Sequence, residues 1–364
     1  MGTFSFHLSP EDALHQLTEL NRKVIEGIEL LSHIRRQDIQ AGATPKEEVY
    51  REDTVVLYHY TPMVESPFPV PILIVYALVN RPYMVDLQED KSLVRNLLKL
   101  GMDVYLIDWG YPSRGDRWLT LDDYINVYIN NSVDAVCERH GLDQINLLGI
   151  CQGGTFSLCY AALYPEKVKN LIAMVTPVDF QVEEGLLNRW AGCSSGTVKM
   201  DVDRLVDAFG NIPGEFMNFG FLVMKPFQLG IRKYLELIDI FDNKEKLLNF
   251  LRMEEWIFDS PDQAGEAYRQ FMKDFYQENK LIKGQVEIGR KRVDLSNVRM
   301  PVLNVYAEQD HLVPPASSIA LERHIGTKDY TVRSFPVGHI GMYVSGKVQH
   351  DLPPTIVNWL KERG

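Results

Sequence analysis

Cys151 has the sequence surroundings of a catalytic nucleophile. It lies in Gly149-Ile-Cys151-Gln-Gly153, directly after the apolar run 145–150 and before a stretch of helical character. A strand that turns sharply into a helix lifts a nucleophile out of the sheet, and small residues are needed beside it because the backbones crowd there. The turn also places the sulfur at a helix N-terminus, where the dipole favours the thiolate.

Two residues near the C-terminus can serve as the base and as the group that orients it. Asp310 and His339 each follow a predicted strand, at the edge of a parallel sheet where ligands bind. A Cys nucleophile needs a base, and the base needs an orienting partner. The order nucleophile, acid, histidine predicts Cys151, Asp310 and His339 as catalytic residues. His311 is the weaker alternative for the base.

Backbone N–H groups are expected to stabilise the oxyanion of the reaction. The residue after the nucleophile, Gln152, is predicted to supply one donor. The second donor is expected in the loop that follows the predicted strand 70–77. Val79 is predicted there, with Asn80 as the alternative. The sequence assigns no cofactor-binding residue.

Apolar strands alternate with helices around these residues. Helical periodicity covers 93–100 and 121–140, and a closing helix is predicted from about Pro354 to Arg363. Alternation of this kind predicts an α/β-hydrolase fold, a mostly parallel sheet with helices on both faces. Strands are predicted at 54–60, 70–77, 103–109, 145–150, 170–176, 301–307 and 330–335, with a small hairpin around Gly289.

The chain divides into four predicted parts. Residues 1–48 form an N-terminal helical segment, which includes a short helix after Thr44. Residues 49–179 and 291–364 are the first and second parts of the α/β-hydrolase core. Residues 180–290 are mostly helical and rich in aromatic side chains, which predicts an inserted helical cap, with additional core as the alternative. The long N-terminal helix is expected to pack on its own domain or to dock a partner chain.

Composition narrows the class of function. The net charge of −11 argues against a nucleic-acid binder and against binding to an anionic membrane surface. The N-terminus lacks an apolar segment, and no run of about 18 apolar residues occurs, so neither a secretory leader nor a transmembrane helix is expected. Four cysteines without metal-type spacing predict free thiols in a reducing cytoplasm and no metal site.

A cysteine at the position of a hydrolase serine favours acyl transfer from a thioester. An acyl-Cys has nearly the free energy of a thioester substrate, so its acyl group can still pass downhill to an alcohol. An acyl-Ser would already lie at the level of the ester product. With water kept out by a cap, the pattern predicts transfer of an acyl group from a thioester to a hydroxyl.

Segments along nearly the whole chain resemble the catalytic subunits (PhaC) of class III polyhydroxyalkanoate synthases. The nucleophile box Gly-x-Cys-x-Gly is the one found in that family. The short length fits class III, or the similar class IV, rather than the longer single-chain classes. The stretch 191–196 is less familiar. The segments that carry the resemblance are 74–83, 104–112, 147–153, 174–180, 256–262, 310–315 and 338–341.

The resemblance implies polymerisation of (R)-3-hydroxyacyl-CoA, especially 3-hydroxybutyryl-CoA, into polyester with release of CoA. It implies Cys151 as acyl carrier, His339 as its base, and Asp310 as orienter of His339 or activator of the incoming hydroxyl. It also implies a second subunit (PhaE), a dimer of catalytic chains, residence on cytoplasmic polyester granules, and no cofactor besides the CoA thioester substrate. A Cys-dependent hydrolase or thioesterase is the alternative function, and a non-catalytic granule-associated protein is the second alternative.

Overall fold

The structure, a computed structural model, describes residues 10–191, 199–224 and 233–364. Its α-helices are α1 (Pro10–His33), α2 (Leu93–Lys99), α3 (Asn130–His140), α4 (Gln152–Leu163), α5 (Leu186–Ala191), α6 (Val202–Phe209), α7 (Gly214–Met224), α8 (Lys233–Ile238), α9 (Lys244–Phe258), α10 (Gly265–Gln270), α11 (Pro315–Ile319), α12 (Gly341–Val344) and α13 (Gly346–Lys361). Short 3-10 and π-helical turns connect several of them.

The strands form one large sheet and two small hairpins. They are β1 (Lys46–Glu52), β2 (Val55–Tyr60), β3 (Ile72–Val75), β4 (Asp86–Gln88), β5 (Lys91–Ser92), β6 (Val104–Asp108), β7 (Ile145–Ile150), β8 (Val168–Met174), β9 (Glu287–Ile288), β10 (Lys291–Arg292), β11 (Val302–Ala307) and β12 (Tyr330–Phe335). The large sheet has the order β1-β2-β6-β3-β7-β8-β11-β12. Pairing is antiparallel from β1 to β6 and parallel from β6 to β12.

The strands predicted from apolar runs are confirmed, because the centre of the sheet is covered on both faces. Every residue of β7 is buried, as expected for a parallel strand between two helical layers. The following helix, α4, is buried from Gln152 to Ala162. Burial of large side chains such as Phe156 and Leu158 contributes about 1.5–3 kcal/mol each. The turn between β7 and α4 is therefore held on a rigid support.

The described residues fall into two compact units, one within Met1–Ala41 and Asn218–Phe258 and the other within Gly42–Met217 and Asp259–Gly364. The predicted insertion, 180–290, is mostly helical where it is described, and its residues are divided between the two units. The strands β9 and β10 form the predicted hairpin. That the insertion acts as a cap stays a prediction.

Two predictions of local structure are wrong. The short helix expected after Thr44 is strand β1, because pairing with β2 outweighs the local helix-start signal of Pro45. The closing helix begins at Gly346 rather than near Pro354 and continues through both of its prolines. Its first turns are held by the burial of Val348 and Leu352.

Candidate active site

Cys151 occupies the strained turn between β7 and α4. Its backbone has φ +53° and ψ −124°, a conformation that non-glycine residues rarely adopt. The N–H groups of Gly154 and Thr155 donate to its carbonyl oxygen at 2.9 and 3.3 Å, which fixes the first turn of the helix. The side chain is partly exposed. This is the geometry of a nucleophile lifted from the sheet, and strain of this kind is concentrated at functional sites.

Glycines beside the cysteine allow the close approach of three backbones. A Cβ atom on Gly153 would lie 2.5 Å from the carbonyl oxygen of Tyr76 and closer still to that of Val75. A Cβ on Gly149 would lie 2.5 Å from the Cα of Gly154. The spacing Gly149-x-Cys151-x-Gly153 therefore has a steric cause at each glycine.

We expect Gly153→Ala to destabilise the protein by about 1–3 kcal/mol, because the added methyl has no room against the end of β3. Denaturant unfolding measures the loss of stability. Gly346→Ala is the matched control, since nothing lies within 4 Å of a Cβ at that glycine. Equal stability of the two variants would contradict the steric explanation.

Asp310 and His339 are joined by a short hydrogen bond. His339 Nδ1 lies 2.7 Å from Asp310 Oδ2, and both side chains are buried. The other carboxylate oxygen accepts from the N–H groups of Leu312 and Val313, each at 2.9 Å. A carboxylate only accepts hydrogen bonds, so Nδ1 carries the proton and Nε2 remains for the nucleophile. Both oxygens of Asp310 are engaged within the protein, which is the geometry of an orienting group.

The environment of His339 links it to Cys151 as well as to Asp310. Burial by itself lowers the pKa of His339, but the charges of Asp310 and Cys151 and hydrogen bonds to both raise that pKa to about 10. A histidine of this kind holds its proton beside the sulfur at neutral pH. The structure thus brings together the three residues predicted as catalytic, and their roles in a reaction stay a prediction.

The raised pKa of His339 predicts a dependence of stability on pH. The pair with Asp310 stabilises the fold fully below the unfolded-state pKa of 6.5, and this contribution is lost as the pH rises through about 10. In Asp310→Asn the carboxylate charge is absent, so unfolding free energies measured by urea denaturation should change less over this range. His350→Gln, a change at a side chain that is 87% exposed, should keep the wild-type dependence. A wild-type slope in Asp310→Asn would contradict this assignment.

The predicted oxyanion donors lie on two adjacent segments. Gln152 is the first residue of α4, and N–H groups in the first turn have no partner within a helix. Val79 lies in the loop after β3. The side chain of Gln152 ties this loop to the turn, because its Oε1 accepts from the N–H of Leu78 at 3.0 Å. Asn80, the alternative donor, has φ +61°. That Gln152 and Val79 form an oxyanion hole stays a prediction.

The remaining cysteines and acids have other surroundings. Cys159 is buried in α4, and burial raises its thiol pKa to about 12. Cys137 is half-buried in α3, and Cys193 lies outside the described residues. Asp108 accepts a hydrogen bond from Arg81 at 2.8 Å. None of these contacts places a second nucleophile or acid with His339.

Two tyrosines at the site are not among the predicted residues. Tyr343 packs edge-on against His339 and also against Tyr76, with ring centroids 6.3 Å apart in each case. Tyr343 follows His339 by one helical turn, and Tyr76 directly follows β3. The position of Tyr343 after the histidine is the one local signal that could have indicated it.

The described part of the chain offers neither a metal-binding cluster nor a membrane-spanning helix. No group of three or more His, Cys, Asp or Glu side chains there could hold a metal ion. None of the described helices is both long enough and apolar enough to span a membrane.

Comparisons with known proteins agree with the fold and with the family resemblance seen in the sequence. A family model described as alpha/beta hydrolase fold matches residues 70–345, and one described as Poly-beta-hydroxybutyrate polymerase (PhaC) N-terminus matches residues 37–97. The poly(3-hydroxyalkanoate) polymerase subunit PhaC of Synechocystis sp. is 64% identical over 100% of this chain and 96% of its own. The subunit of the same name from Thiocystis violacea is 54% identical over 98% of both chains.

A solved hydrolase from Pseudomonas aeruginosa PA01 has a TM-score of 0.54 at 12% identity, covering 88% of this chain and 99% of that one. This likeness shows the fold alone. The matches to the two polymerase subunits extend over nearly the whole length of this chain and of theirs. This chain therefore belongs to the family of poly(3-hydroxyalkanoate) polymerase subunits PhaC, on the α/β-hydrolase fold.

Proposed function

We propose that this chain polymerises (R)-3-hydroxyacyl-CoA, with 3-hydroxybutyryl-CoA as its main substrate, and releases CoA through an acyl-Cys151 intermediate. Polyester synthesis is the activity named for its relatives. The observation that carries the mechanism is the arrangement of His339, which is hydrogen-bonded to Asp310 and interacts with Cys151. The proposed steps use protein side chains and backbone groups, so they invoke no cofactor.

The first step is transfer of the acyl group to the enzyme. The thiolate of Cys151 attacks the carbonyl carbon of the thioester, and the negative charge that develops on the oxygen is held by backbone N–H groups. The bond between the carbonyl carbon and the sulfur of CoA then breaks. His339 gives its proton to the departing sulfur, so CoA leaves as a thiol and Cys151 carries the acyl group as a thioester.

The second step joins two hydroxyacyl units. The hydroxyl oxygen of another unit attacks the acyl-Cys151 carbonyl, while His339 takes the hydroxyl proton. Breaking the bond to sulfur leaves an ester and returns the thiolate beside a protonated His339. Ester formation lowers the free energy, because the intermediate is a thioester. Asp310 acts through His339 in this account, because both of its oxygens are already bonded.

The alternative function is hydrolysis of the same intermediate by water. The two functions are distinguished by incubating the purified chain, with and without a candidate second subunit, with 3-hydroxybutyryl-CoA. Released CoA is measured with a thiol reagent, and the product is weighed as polymer or determined as free acid. Polymer is expected. Release of one free acid for each CoA would replace this proposal by the thioesterase alternative.

A second subunit of the PhaE kind is proposed as partner, together with a dimer of catalytic chains and attachment to polyester granules in the cytoplasm. The support is an exposed apolar face of α1, where Leu14, Ile25 and Ile28 are 67%, 65% and 60% exposed. Exposed apolar patches often mark contact surfaces.

We expect deletion of residues 1–35 to weaken binding of the second subunit and to remove its stimulation of polymer synthesis. Pull-down of the co-expressed subunit and the lag before CoA release measure the two effects. Cys151→Ala in the full chain is the control, because it should bind the partner normally. Undiminished binding by the shortened chain would exclude α1 as the docking surface.

A further inference from the structure

The side chain of Gln263 binds the loop that follows β3. It is buried, and its Nε2 donates to the carbonyl oxygen of Leu78 at 2.9 Å. The same nitrogen lies 3.5 Å from the carbonyl oxygen of Pro261, so the amide NH₂ group faces two acceptors. Two backbone hydrogen bonds to Ile212, of 2.8 and 2.9 Å, hold Gln263 in an antiparallel bridge. Gln263 is therefore a fixed donor to this loop.

The peptide unit that Gln263 binds carries the N–H of Val79. The bond between Leu78 and Val79 is trans, and a peptide unit is planar, so the C=O of Leu78 and the N–H of Val79 point in opposite directions. A hydrogen bond that fixes the carbonyl therefore also fixes the direction of the N–H. The N–H of Leu78 itself donates to Oε1 of Gln152 at 3.0 Å. Two glutamine side chains thus hold Leu78, and one of them belongs to the first residue of α4.

Two further contacts join the same stretch of chain to this loop. Nδ2 of Asn80 donates to Oγ of Ser260 at 2.7 Å, and the hydroxyl of Tyr83 donates to a carboxylate oxygen of Asp259 at 3.0 Å. The segment 259–263 belongs to the predicted insertion and lies in the same compact unit as the loop. The insertion therefore holds at three positions the loop in which an oxyanion donor is predicted.

We propose that Gln263 is a positioning residue, which aims the N–H of Val79 at the oxyanion that forms when the Cys151 thiolate attacks the thioester. This inference rests on the proposed function and adds a residue of the insertion to the groups that the reaction needs. Oxyanion donors lower the barrier because they are held in place before the charge develops. Gln263 acts through the peptide unit that it binds, without touching the substrate.

Gln263→Glu tests this hydrogen bond with almost no change of shape. A carboxylate only accepts hydrogen bonds and repels the Leu78 carbonyl, whereas a protonated carboxyl group donates to it. Burial raises the pKa of a glutamate above its usual value of about 4.3, so protonation falls within a usable pH range. Single-turnover acylation by 3-hydroxybutyryl-CoA at about pH 8 should fall about tenfold to a hundredfold below the wild type, somewhat less than for a deleted oxyanion donor. At about pH 5.5 the deficit should shrink to about threefold or less, because the donor is restored.

Two other variants complete the comparison. Gln263→Leu has no proton to regain, so it should be slow at both pH values, and it carries the test at the higher pH if the buried charge unfolds Gln263→Glu. Gln277→Glu is the matched control, because Nε2 of Gln277 also donates to backbone carbonyl oxygens, those of Ala191 and Met200, at 3.1 and 2.9 Å. These acceptors lie outside the loop after β3, so this variant should be acylated as fast as the wild type.

Alkylation of Cys151 by iodoacetamide separates positioning from general damage to the site. The reaction needs the thiolate but forms no oxyanion, so its rate on the Cys151 peptide should be the same in the wild type and in Gln263→Glu. Parallel losses of alkylation and acylation would give Gln263 a merely structural role and overturn the inference. Wild-type acylation by Gln263→Glu at about pH 8, or a deficit that persists at about pH 5.5, would overturn it as well. Failure of the wild type itself to release CoA would instead refute the proposed function.

Discussion

Cys151→Ala is expected to abolish CoA release and polymer synthesis together. Loss of a covalent nucleophile lowers turnover by factors on the order of 10⁶ in other enzymes. The fold should survive, because the side chain lies at a partly exposed turn and α4 keeps its buried contacts. CoA release and polymer mass are the measurements, and circular dichroism verifies the fold.

Cys151→Ser separates the nucleophile's geometry from its chemistry. The hydroxyl keeps its place, but His339 must remove its proton during the attack rather than beforehand. The acyl-enzyme is then an oxygen ester, whose free energy is lower than that of the CoA thioester. We expect slow acylation, little polymer and a trapped acyl-Ser. Cys137→Ala is the control and should polymerise normally. Robust polymerisation by Cys151→Ala would place the nucleophile elsewhere.

Asp310→Asn is expected to lower both the loading of the first acyl unit and chain elongation, roughly 10³- to 10⁴-fold each, as for the orienting acid of other triads. The amide can turn its NH₂ group toward His339 and favour the wrong tautomer. The structure supports this outcome because the Asp310 side chain is 1% exposed and has both oxygens hydrogen-bonded.

The two steps are measured separately, as the first burst of CoA and as the later growth of polymer. Asp329→Asn is the control, because this acid pairs with Arg363 away from the catalytic residues and surface pairs contribute little. Normal loading with a collapse of elongation would show that Asp310 activates the incoming hydroxyl directly. That second role is the one the family resemblance leaves open.

Much of the fold can be predicted from the sequence, because the central strands are covered on both faces and are therefore apolar along their length. The run 145–150 indicates a buried strand, and β7 is buried at every position. Local signals failed where tertiary pairing or burial outweighed them. Pro45 has the sequence of a helix start, yet strand pairing includes Lys46 through Glu52. The prolines of α13 indicate a helix start near Pro354, whereas the helix begins at Gly346.

The site was predictable to the extent that each residue has a local signature. Cys151 is marked by its glycines, and Asp310 and His339 by the strands that they follow. The side chain of Gln152 and the ring of Tyr76 have no such signature, because their contacts are with neighbours distant in sequence. The Gln152 side chain binds Leu78, and Tyr76 meets Tyr343. Such contacts are visible only once the chain is folded.

The most direct test of the account is to locate the acyl group on the wild-type enzyme. The protein is mixed briefly with a limiting amount of 3-hydroxybutyryl-CoA, denatured in acid and analysed by intact mass and peptide mapping. We expect one or more hydroxybutyryl units on the peptide that contains Cys151, removable by neutral hydroxylamine as a thioester should be. Polymer formed without an adduct on that peptide, or an adduct on another residue, would contradict covalent catalysis by Cys151.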